Sequence, residues 1–173
     1  MYKNILVPVD GSDTSAAGLL EAIQVAKSSE GRIRLVHVIN ELMPEGANRP
    51  GVYAHDYLQS LRESGANLLE RSRSLVQQHG IDADTILVES LGSPAGYFIV
   101  RQAKRWPADL IVMGTHGRHG FARICLGSDA EHVLRGSSIP VLLVRDVSAH
   151  RTRNKSNGVF KDISSPITPM CFG

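Results

Sequence analysis

Short apolar runs that alternate with longer amphipathic segments constrain the fold of this chain more than any other feature. Five runs of strand length are rich in Val, Ile and Leu and cover residues 5–9, 33–39, 85–88, 110–113 and 139–144. Near-continuous apolar runs of this length are typical of strands that are covered on both faces. Segments with helical spacing separate them, at residues 14–29, 53–79, 94–105 and 129–135. This alternation predicts an α/β fold with a doubly wound parallel sheet and right-handed crossovers.

Residues that typically begin and end helices support these boundaries. Gly31 and Gly80 each follow a predicted helix, where glycine most easily adopts the left-handed conformation of a C-terminal cap. Ser93 precedes Pro94, which predicts a serine N-cap followed by a proline at the first helical position. We therefore expect helices to end and begin at these residues.

The charge distribution separates the chain into a body and a tail. Residues 1–145 contain 15 Lys and Arg and 15 Asp and Glu, whereas residues 146–173 contain four basic and two acidic side chains. The body has no basic stripe, which argues against a nucleic-acid partner because duplex affinity comes largely from clustered phosphate contacts. The apolar periodicity also stops after Arg145. We predict one domain over residues 1–145 and a flexible extension over residues 146–173.

Composition also bears on location and metal binding. Nothing approaches eighteen consecutive apolar residues, and an acid lies in the N-terminal segment where a signal peptide needs an apolar core, so we expect a cytoplasmic protein without a membrane anchor. Cys125 and Cys171 lie 46 positions apart without a neighbouring thiol. His116, His119 and His132 lack a carboxylate or thiol at a recognisable ligand spacing. We therefore expect no metal site.

The segment MGTHGRHGFARICLGSDAEHVLR, residues 113–135, follows a predicted strand and carries the strongest functional signal. Two residues separate Gly114 from Gly117, and Gly127 precedes Ser128 at the start of a predicted helix. Glycines at a strand end allow the backbone to approach a ligand, and a helix start offers unpaired N–H groups with partial positive charge. The pattern predicts a phosphate-binding cradle. Alternatively, Ser128 and Glu131 form a capping box without any ligand.

The segment VPVDGS, residues 7–12, ends the first predicted strand. Asp10 lies where a carboxylate would face the ligand crevice and bond ribose hydroxyls or a metal-bound water. The alternative is an Asx turn in which Ser12 or Asp13 caps the following helix. Taken alone, these residues favour the Asx turn.

These segments together resemble the universal stress protein family. The VPVDGS start, the LVHVI strand, the ADLIVMGTHGR strand and turn, the glycine spacing and the EHVLR…IPVLLVR ending occur in the family's order over about residues 1–145. The resemblance implies a five-stranded parallel sheet of order 3-2-1-4-5 with helices on both faces, as in adenine nucleotide alpha hydrolase-like folds. It also implies an adenine nucleotide, ATP or else ADP or AMP, with or without Mg²⁺, at the carboxyl ends of the strands.

The resemblance also implies roles for individual residues. Pro8 and Asp10 would border the adenosine, and the backbone of Val38 would meet the adenine. Gly127 and Ser128 would hold phosphate oxygens through backbone N–H groups and the hydroxyl. The residues expected to flank the ribose and phosphates are Gly114, Gly117 and Arg118. The complete set of expected nucleotide-binding residues is Pro8, Val9, Asp10, Val38, Met113, Gly114, Gly117, Arg118, Gly127, Ser128, Asp129 and Ala130.

Two positions depart from the family's pattern, which commonly has a small apolar residue and then a hydroxyl residue after the glycine and serine. Asp129 and Ala130 stand there instead. Ala130 removes a possible phosphate donor. The Asp129 charge suits the helix dipole but repels a bound phosphate unless a magnesium ion intervenes.

The last apolar run, residues 139–144, would form an edge of the sheet, and apolar edges tend to be paired or covered. The resemblance implies that this strand pairs with its copy in a homodimer. The alternative is that the tail from Asp146 folds back over it.

The function that these features indicate is a stress-response regulatory module that binds ATP, with at most slow hydrolysis and an unknown regulatory protein partner. No catalytic residue is assignable, because the chain lacks a P-loop with its Lys-Ser/Thr ending and an identifiable general base. One alternative is a nucleotide-independent dimeric adaptor. This alternative is consistent with Asp129 and Ala130, which depart from the family's phosphate-binding pattern. A less favoured alternative is an adenylyl-transferring enzyme, whose SGGxDS-like loop is replaced here by VPVDGSDTS.

Overall fold

The computed structural model describes residues 1–40, 52–90, 92–115 and 126–145 of the chain. Within these ranges five strands alternate with four helices, as the apolar pattern predicts. The strands are β1 (Asn4–Pro8), β2 (Arg32–Asn40), β3 (Ala83–Ser90), β4 (Leu110–Gly114) and β5 (Val141–Val144). The helices are α1 (Asp13–Ser29), α2 (Val52–Gln78), α3 (Ala95–Arg105) and α4 (Ser128–Gly136). The extension predicted over residues 146–173 lies outside the described residues.

The strands form one parallel sheet in the order β3-β2-β1-β4-β5. Val7 lies opposite Leu35 in the neighbouring β2, and Leu6 lies opposite Ile111 in β4. The α/β class and the strand order 3-2-1-4-5 are therefore confirmed. The winding direction reverses between β1 and β4, so a crevice opens at the carboxyl ends of these two strands.

Both faces of the sheet are buried, which explains the near-continuous apolar runs. Ile5 and Leu35 pack with α1 and α2 on one face, and Leu6 and Ile111 pack with α3 and α4 on the other. Burying each such side chain contributes about 1.5–3 kcal/mol relative to leaving it in water. Of the helices described, none is long and apolar enough to cross a membrane.

Two predicted helix ends shift by one residue. Gly80 has the predicted left-handed conformation (φ 76°), but α1 ends with Glu30 in that conformation (φ 49°) rather than with Gly31. A Cβ on Gly31 would lie 2.8 Å from a backbone carbonyl oxygen of the N-terminal segment, so this glycine permits close chain approach instead. At α3, Pro94 is the N-cap and no side chain caps the helix, so the predicted Ser93 cap is wrong.

Strand β5 is shorter than the predicted run over residues 139–144, because Pro140 has no N–H to donate to the ladder. The Pro140 carbonyl still accepts from the Ile111 N–H at 3.0 Å, and regular pairing begins at Val141 opposite Ile111. β5 is an edge strand and all four of its residues are half-buried.

Candidate functional site

A cleft of about 460 Å³ opens at the carboxyl ends of β1, β2 and β4, bounded by α2 and by the N-terminal turns of α3 and α4. This is the position at which ligands bind in doubly wound sheets. Two of the twelve predicted site residues, Gly117 and Arg118, lie outside the described residues. The ten predicted residues that line the cleft are Pro8, Val9, Asp10, Val38, Met113, Gly114, Gly127, Ser128, Asp129 and Ala130.

The turn between β1 and α1 is held by hydrogen bonds among Asp10, Ser12 and Ser15. Asp10 Oδ1 accepts from the Ser12 N–H at 2.9 Å and from the Ser12 hydroxyl at 2.6 Å. Ser12 Oγ accepts from the Ser15 N–H at 3.2 Å and so caps α1, and Ser15 Oγ accepts from the Asp10 N–H at 3.1 Å. The Asx turn and the Ser12 cap are confirmed. The same contacts fix Asp10 in the wall of the cleft.

The backbone of Val38 faces the cleft because β2 extends beyond the end of β1. The Val36 carbonyl accepts from the Val9 N–H at 2.9 Å, one residue past the end of β1. Backbone groups that point toward the same neighbouring strand recur every two residues. The N–H and carbonyl of Val38 therefore face the space beyond β1, which is the orientation that contact with an adenine edge requires.

The N-terminus of α4 opens onto the cleft without a side-chain cap. Gly127, not Ser128, is the N-cap, and Ser128 is the first helical residue, so the alternative capping box with Glu131 is not formed. The Gly127 N–H donates to the Thr115 carbonyl at 2.9 Å, which ties the helix start to the end of β4. The N–H groups of the first helical turn have no partner within the helix and are the natural donors for an anion.

Asp129 is engaged with a neighbouring helix. Its Oδ1 accepts from the Gly96 N–H, in the first turn of α3, at 3.0 Å. A Cβ on Gly96 would lie 2.7 Å from the Cβ of His132 and 2.8 Å from the Asp129 carbonyl oxygen, so glycine lets α3 and α4 approach closely. The sequence predicts the charge of Asp129 in this turn, but not this contact.

The sequence pattern explains Gly114 by the close approach of a ligand, but in the structure this glycine makes room for the packing of α1. A Cβ at this position would lie 2.6 Å from the Thr14 carbonyl oxygen and 3.0 Å from the Ser15 backbone nitrogen. Gly18 of α1 lies on the other side of this contact, and its Cβ would lie 3.1 Å from the Gly114 nitrogen. The glycine at the end of β4 therefore allows α1 to pack against the sheet, whether or not a ligand is bound.

His37 and the inner face of α2 also line the cleft, and sequence reasoning missed both. His37 is 9% exposed, and its Nδ1 lies 2.7 Å from the Val9 carbonyl oxygen. Its signal is a single polar residue within the apolar LVHVI strand. The residues that α2 contributes are Tyr57, Leu61, Ser64 and Gly65.

Among the described residues, no group of three His, Cys, Asp or Glu side chains is close enough to hold a metal ion. His116, His119 and Cys125 lie outside those residues. The described part of the cleft thus offers a ligand backbone groups, hydroxyls, carboxylates and apolar walls.

The fold and this cleft define a doubly wound α/β domain with its open crevice at the strand ends. The universal stress protein family model matches residues 1–145. Universal stress protein MJ0531 from Methanocaldococcus jannaschii is 35% identical over 145 residues, which cover 84% of this chain and 83% of that protein. The chain belongs to the universal stress protein family.

Solved structures share the fold. Hypothetical protein MJ0577 superposes with a TM-score of 0.72 at 29% identity, over 84% of this chain and 96% of that one. A universal stress protein in complex with cAMP has a TM-score of 0.59 at 23% identity, over 83% and 97% of the two chains. The Archaeoglobus fulgidus protein in complex with dAMP has a TM-score of 0.56 at 23% identity, over 83% and 98%.

Proposed function

We propose that this chain binds an adenine nucleotide, ATP or else ADP or AMP, in the cleft at the strand ends and acts as a stress-response regulatory module. One observation carries the proposal: residues from β1, β2, β4 and α4 that the family resemblance associates with the nucleotide surround a single cleft. Family membership supports it. The cAMP and dAMP complexes of two proteins with this fold support adenine as the base.

In this proposal the adenosine occupies the end of the cleft formed by β1 and β2. Pro8 and Met113 supply apolar contact, and the outward-facing backbone groups of Val38 pair with the adenine edge. Asp10, fixed by its turn, accepts from ribose hydroxyls. Buried apolar walls with a few oriented polar groups are typical of small-ligand sites.

The phosphate end lies at the start of α4. Gly127 has φ −64° and ψ 148°, an extended conformation that directs the chain into the helix and leaves no side chain over the first-turn N–H groups. These N–H groups and the Ser128 hydroxyl hold the phosphate nearest the ribose. Gly117 and Arg118 complete the phosphate end in this proposal.

We also propose a cytoplasmic homodimer that signals to a regulatory protein partner. β5 is an edge strand of Val and Leu residues, all half-buried within one chain. Pairing with its copy in a second chain would cover this edge. If the extension over residues 146–173 covers it instead, the protein is a monomer.

Native mass spectrometry of the freshly purified full chain, followed by ATP turnover with Mg²⁺, tests the proposal against its alternatives. A dimer that carries an adenine nucleotide and turns ATP over slowly or not at all supports it. Rapid release of pyrophosphate with a second substrate would identify an adenylyl-transferring enzyme. A nucleotide-free dimer that binds no ATP, ADP or AMP at millimolar concentration would identify an adaptor.

Replacing Gly127 with valine probes the phosphate end directly. The backbone conformation of Gly127 is one that any residue adopts, so the variant should fold, while its side chain covers the helix start. Gly136→Ala, at the other end of α4 and outside the cleft, is the matched control. We expect Gly127→Val to lose binding and Gly136→Ala to retain it.

A further inference from the structure

The inner face of α2 continues from the core into the cleft. Because α2 connects the parallel strands β2 and β3, it runs antiparallel to them and begins at their carboxyl ends. Four residues of α2 lie three or four positions apart and therefore share one face of the helix: Tyr57, Leu61, Gly65 and Leu68. Leu68 is buried in the core, whereas Leu61 is half-buried, Tyr57 is exposed, and both line the cleft.

The close approach of Gly65 to His37 shows how far along the sheet this face reaches. A Cβ on Gly65 would lie 2.7 Å from His37 Cδ2, so these two residues are level with each other. From Gly65 back to Tyr57 the helix rises about 12 Å. From His37 to Asn40, the last residue of β2, the strand advances about 10 Å in the same direction. Tyr57 therefore lies level with the carboxyl end of β2, where the proposed site holds the adenine.

The orientation of the Val38 backbone determines what the two faces of the base would meet. The N–H and carbonyl of a strand residue lie in the plane of the sheet, and hydrogen bonds to a carbonyl favour an in-plane approach. A base that pairs with Val38 therefore lies close to that plane. One of its faces then points to the layer of α3 and α4, where Met113 packs. The other face points to the layer of α1 and α2, from which Tyr57 and Leu61 line the cleft.

The position of Tyr57 distinguishes it from the other exposed tyrosines. Tyr2 and Tyr97 are 38% and 50% exposed, and single exposed aromatic side chains are ordinary on a protein surface. Tyr97 packs edge-to-face on Phe98, with ring centroids 5.4 Å apart. Tyr57 is 40% exposed and lines the cleft, so a planar ligand there would cover its ring.

We infer that Tyr57 stacks on the face of the adenine that points toward α2, so that the base is held between this ring and Met113. The inference rests on the proposed function, because it concerns the same cleft. Stacking of an aromatic side chain acts on the π-face of the base and not on the phosphates. Tyr57 is thus the residue through which α2 recognises the base.

Isothermal titration of the full chain with AMP tests this inference. Tyr57→Ala removes the ring, and Tyr57→Phe keeps the ring without its hydroxyl. The matched control is Tyr2→Ala, because Tyr2 has nearly the same exposure but precedes β1 at the opposite end of the sheet. We expect Tyr57→Ala to bind AMP about tenfold more weakly than wild type, and Tyr57→Phe and Tyr2→Ala to stay within about twofold of it.

The complex of wild-type protein with AMP supplies a direct measurement that needs no variant. Nuclear Overhauser effects should connect the adenine protons to the ring protons of Tyr57. Their absence at saturating AMP would overturn the inference, whatever the variants do. A loss of affinity in Tyr57→Phe as large as in Tyr57→Ala would assign the effect to the hydroxyl and overturn stacking as its cause.

The outcomes separate this inference from the proposed function. If wild-type protein binds AMP and Tyr57→Ala binds it equally well, the cleft remains a nucleotide site and Tyr57 is rejected as its stacking residue. If wild-type protein binds no adenine nucleotide, both are rejected.

Discussion

The Nδ1 atom of His37 lies 2.7 Å from the carbonyl oxygen of Val9. Because a carbonyl oxygen only accepts, Nδ1 carries the proton in this bond. On its other side the ring lies under α2, where a Cβ added to Gly65 would come within 2.7 Å of His37 Cδ2. One buried side chain therefore sets the spacing of β1, β2 and α2 around the cleft.

Replacing His37 with phenylalanine should destabilise the fold, because it keeps an aromatic ring but leaves the Val9 carbonyl without this donor. A buried polar group that loses its partner costs about 1–3 kcal/mol. Urea unfolding followed by circular dichroism measures the change. His79→Phe is the control, since His79 Nδ1 bonds the Leu75 carbonyl at 2.9 Å near the half-buried end of α2. If both variants lose the same free energy of unfolding, the bond to the Val9 carbonyl contributes no more than the partly buried bond of His79.

Gly65→Ala should lower the free energy of unfolding although alanine is the better helix former. The added Cβ would lie 2.7 Å from His37 Cδ2 and 2.8 Å from Leu87 Cδ1. The leucine methyl can move, but the imidazole is held by Val9, so overpacking of about 1–3 kcal/mol outweighs a propensity gain of about 1 kcal/mol.

A double-mutant cycle isolates this clash. In a His37→Ala background the Gly65→Ala change should be neutral or stabilising, because the ring that it meets is gone. The same cost in both backgrounds would place the strain elsewhere than at His37.

Gly114→Ala should unfold the protein more readily whether or not nucleotide is present. Its Cβ would lie 2.6 Å from the Thr14 carbonyl oxygen, and a backbone atom cannot rotate away. We expect a loss of about 3 kcal/mol or more, at the upper end for overpacking. Gly136→Ala is the control, because its Cβ would make an ordinary contact at 3.5 Å with Val100. If Gly114→Ala is as stable as wild type but binds no nucleotide, the glycine is required for close approach of the ligand and not for packing of α1.

Arg34→Lys should lower stability without changing nucleotide binding, because it acts at the opposite end of the sheet. Arg34 lies 4.7 Å from the Trp106 ring centroid and forms two 2.6 Å bonds with Asp84. Lysine keeps the charge but loses the planar stacking and the paired bonds, at a cost of about 1 kcal/mol. Arg135→Lys is the control, because Arg135 forms an exposed ion pair with Glu131. This change should lower the free energy of unfolding by less than about 0.5 kcal/mol. Weakened nucleotide binding in Arg34→Lys would contradict the position of the site.

The sequence predicts the strands and helices well because the sheet is covered on both faces. Runs such as residues 33–39 are apolar at nearly every position, and that pattern arises from burial itself. Local chemistry also predicts the Asx turn at Asp10, since the residues that form the turn with it, Ser12 and Ser15, lie within five positions. The helix ends predicted at Gly31 and Ser93 each shift by one residue. At Gly31 the reason is packing, because the Tyr2 carbonyl oxygen lies where its side chain would be.

The site is less predictable where its contacts join distant segments. The bond from the Gly96 N–H to Asp129 spans 33 residues and depends on how closely two helices pack. Gly114 is identifiable as a glycine at a strand end, but only the packed structure shows that Thr14 occupies the space of its missing side chain. In the sequence His37 is an isolated polar residue within an apolar strand. Only the structure shows that it bonds the Val9 carbonyl at the end of β1.

A titration of ¹⁵N-labelled full-length protein with AMP, followed by amide chemical shifts, shows whether the nucleotide binds in the cleft at the strand ends. Nucleotide in the cleft should shift the amides of Asp10, Val38 and Ser128 together, with one dissociation constant, and leave Arg34 and Asp84 unchanged. Saturating AMP that shifts none of the cleft amides, or that shifts only residues at the opposite end of the sheet, would contradict the assignment of this cleft as the nucleotide site.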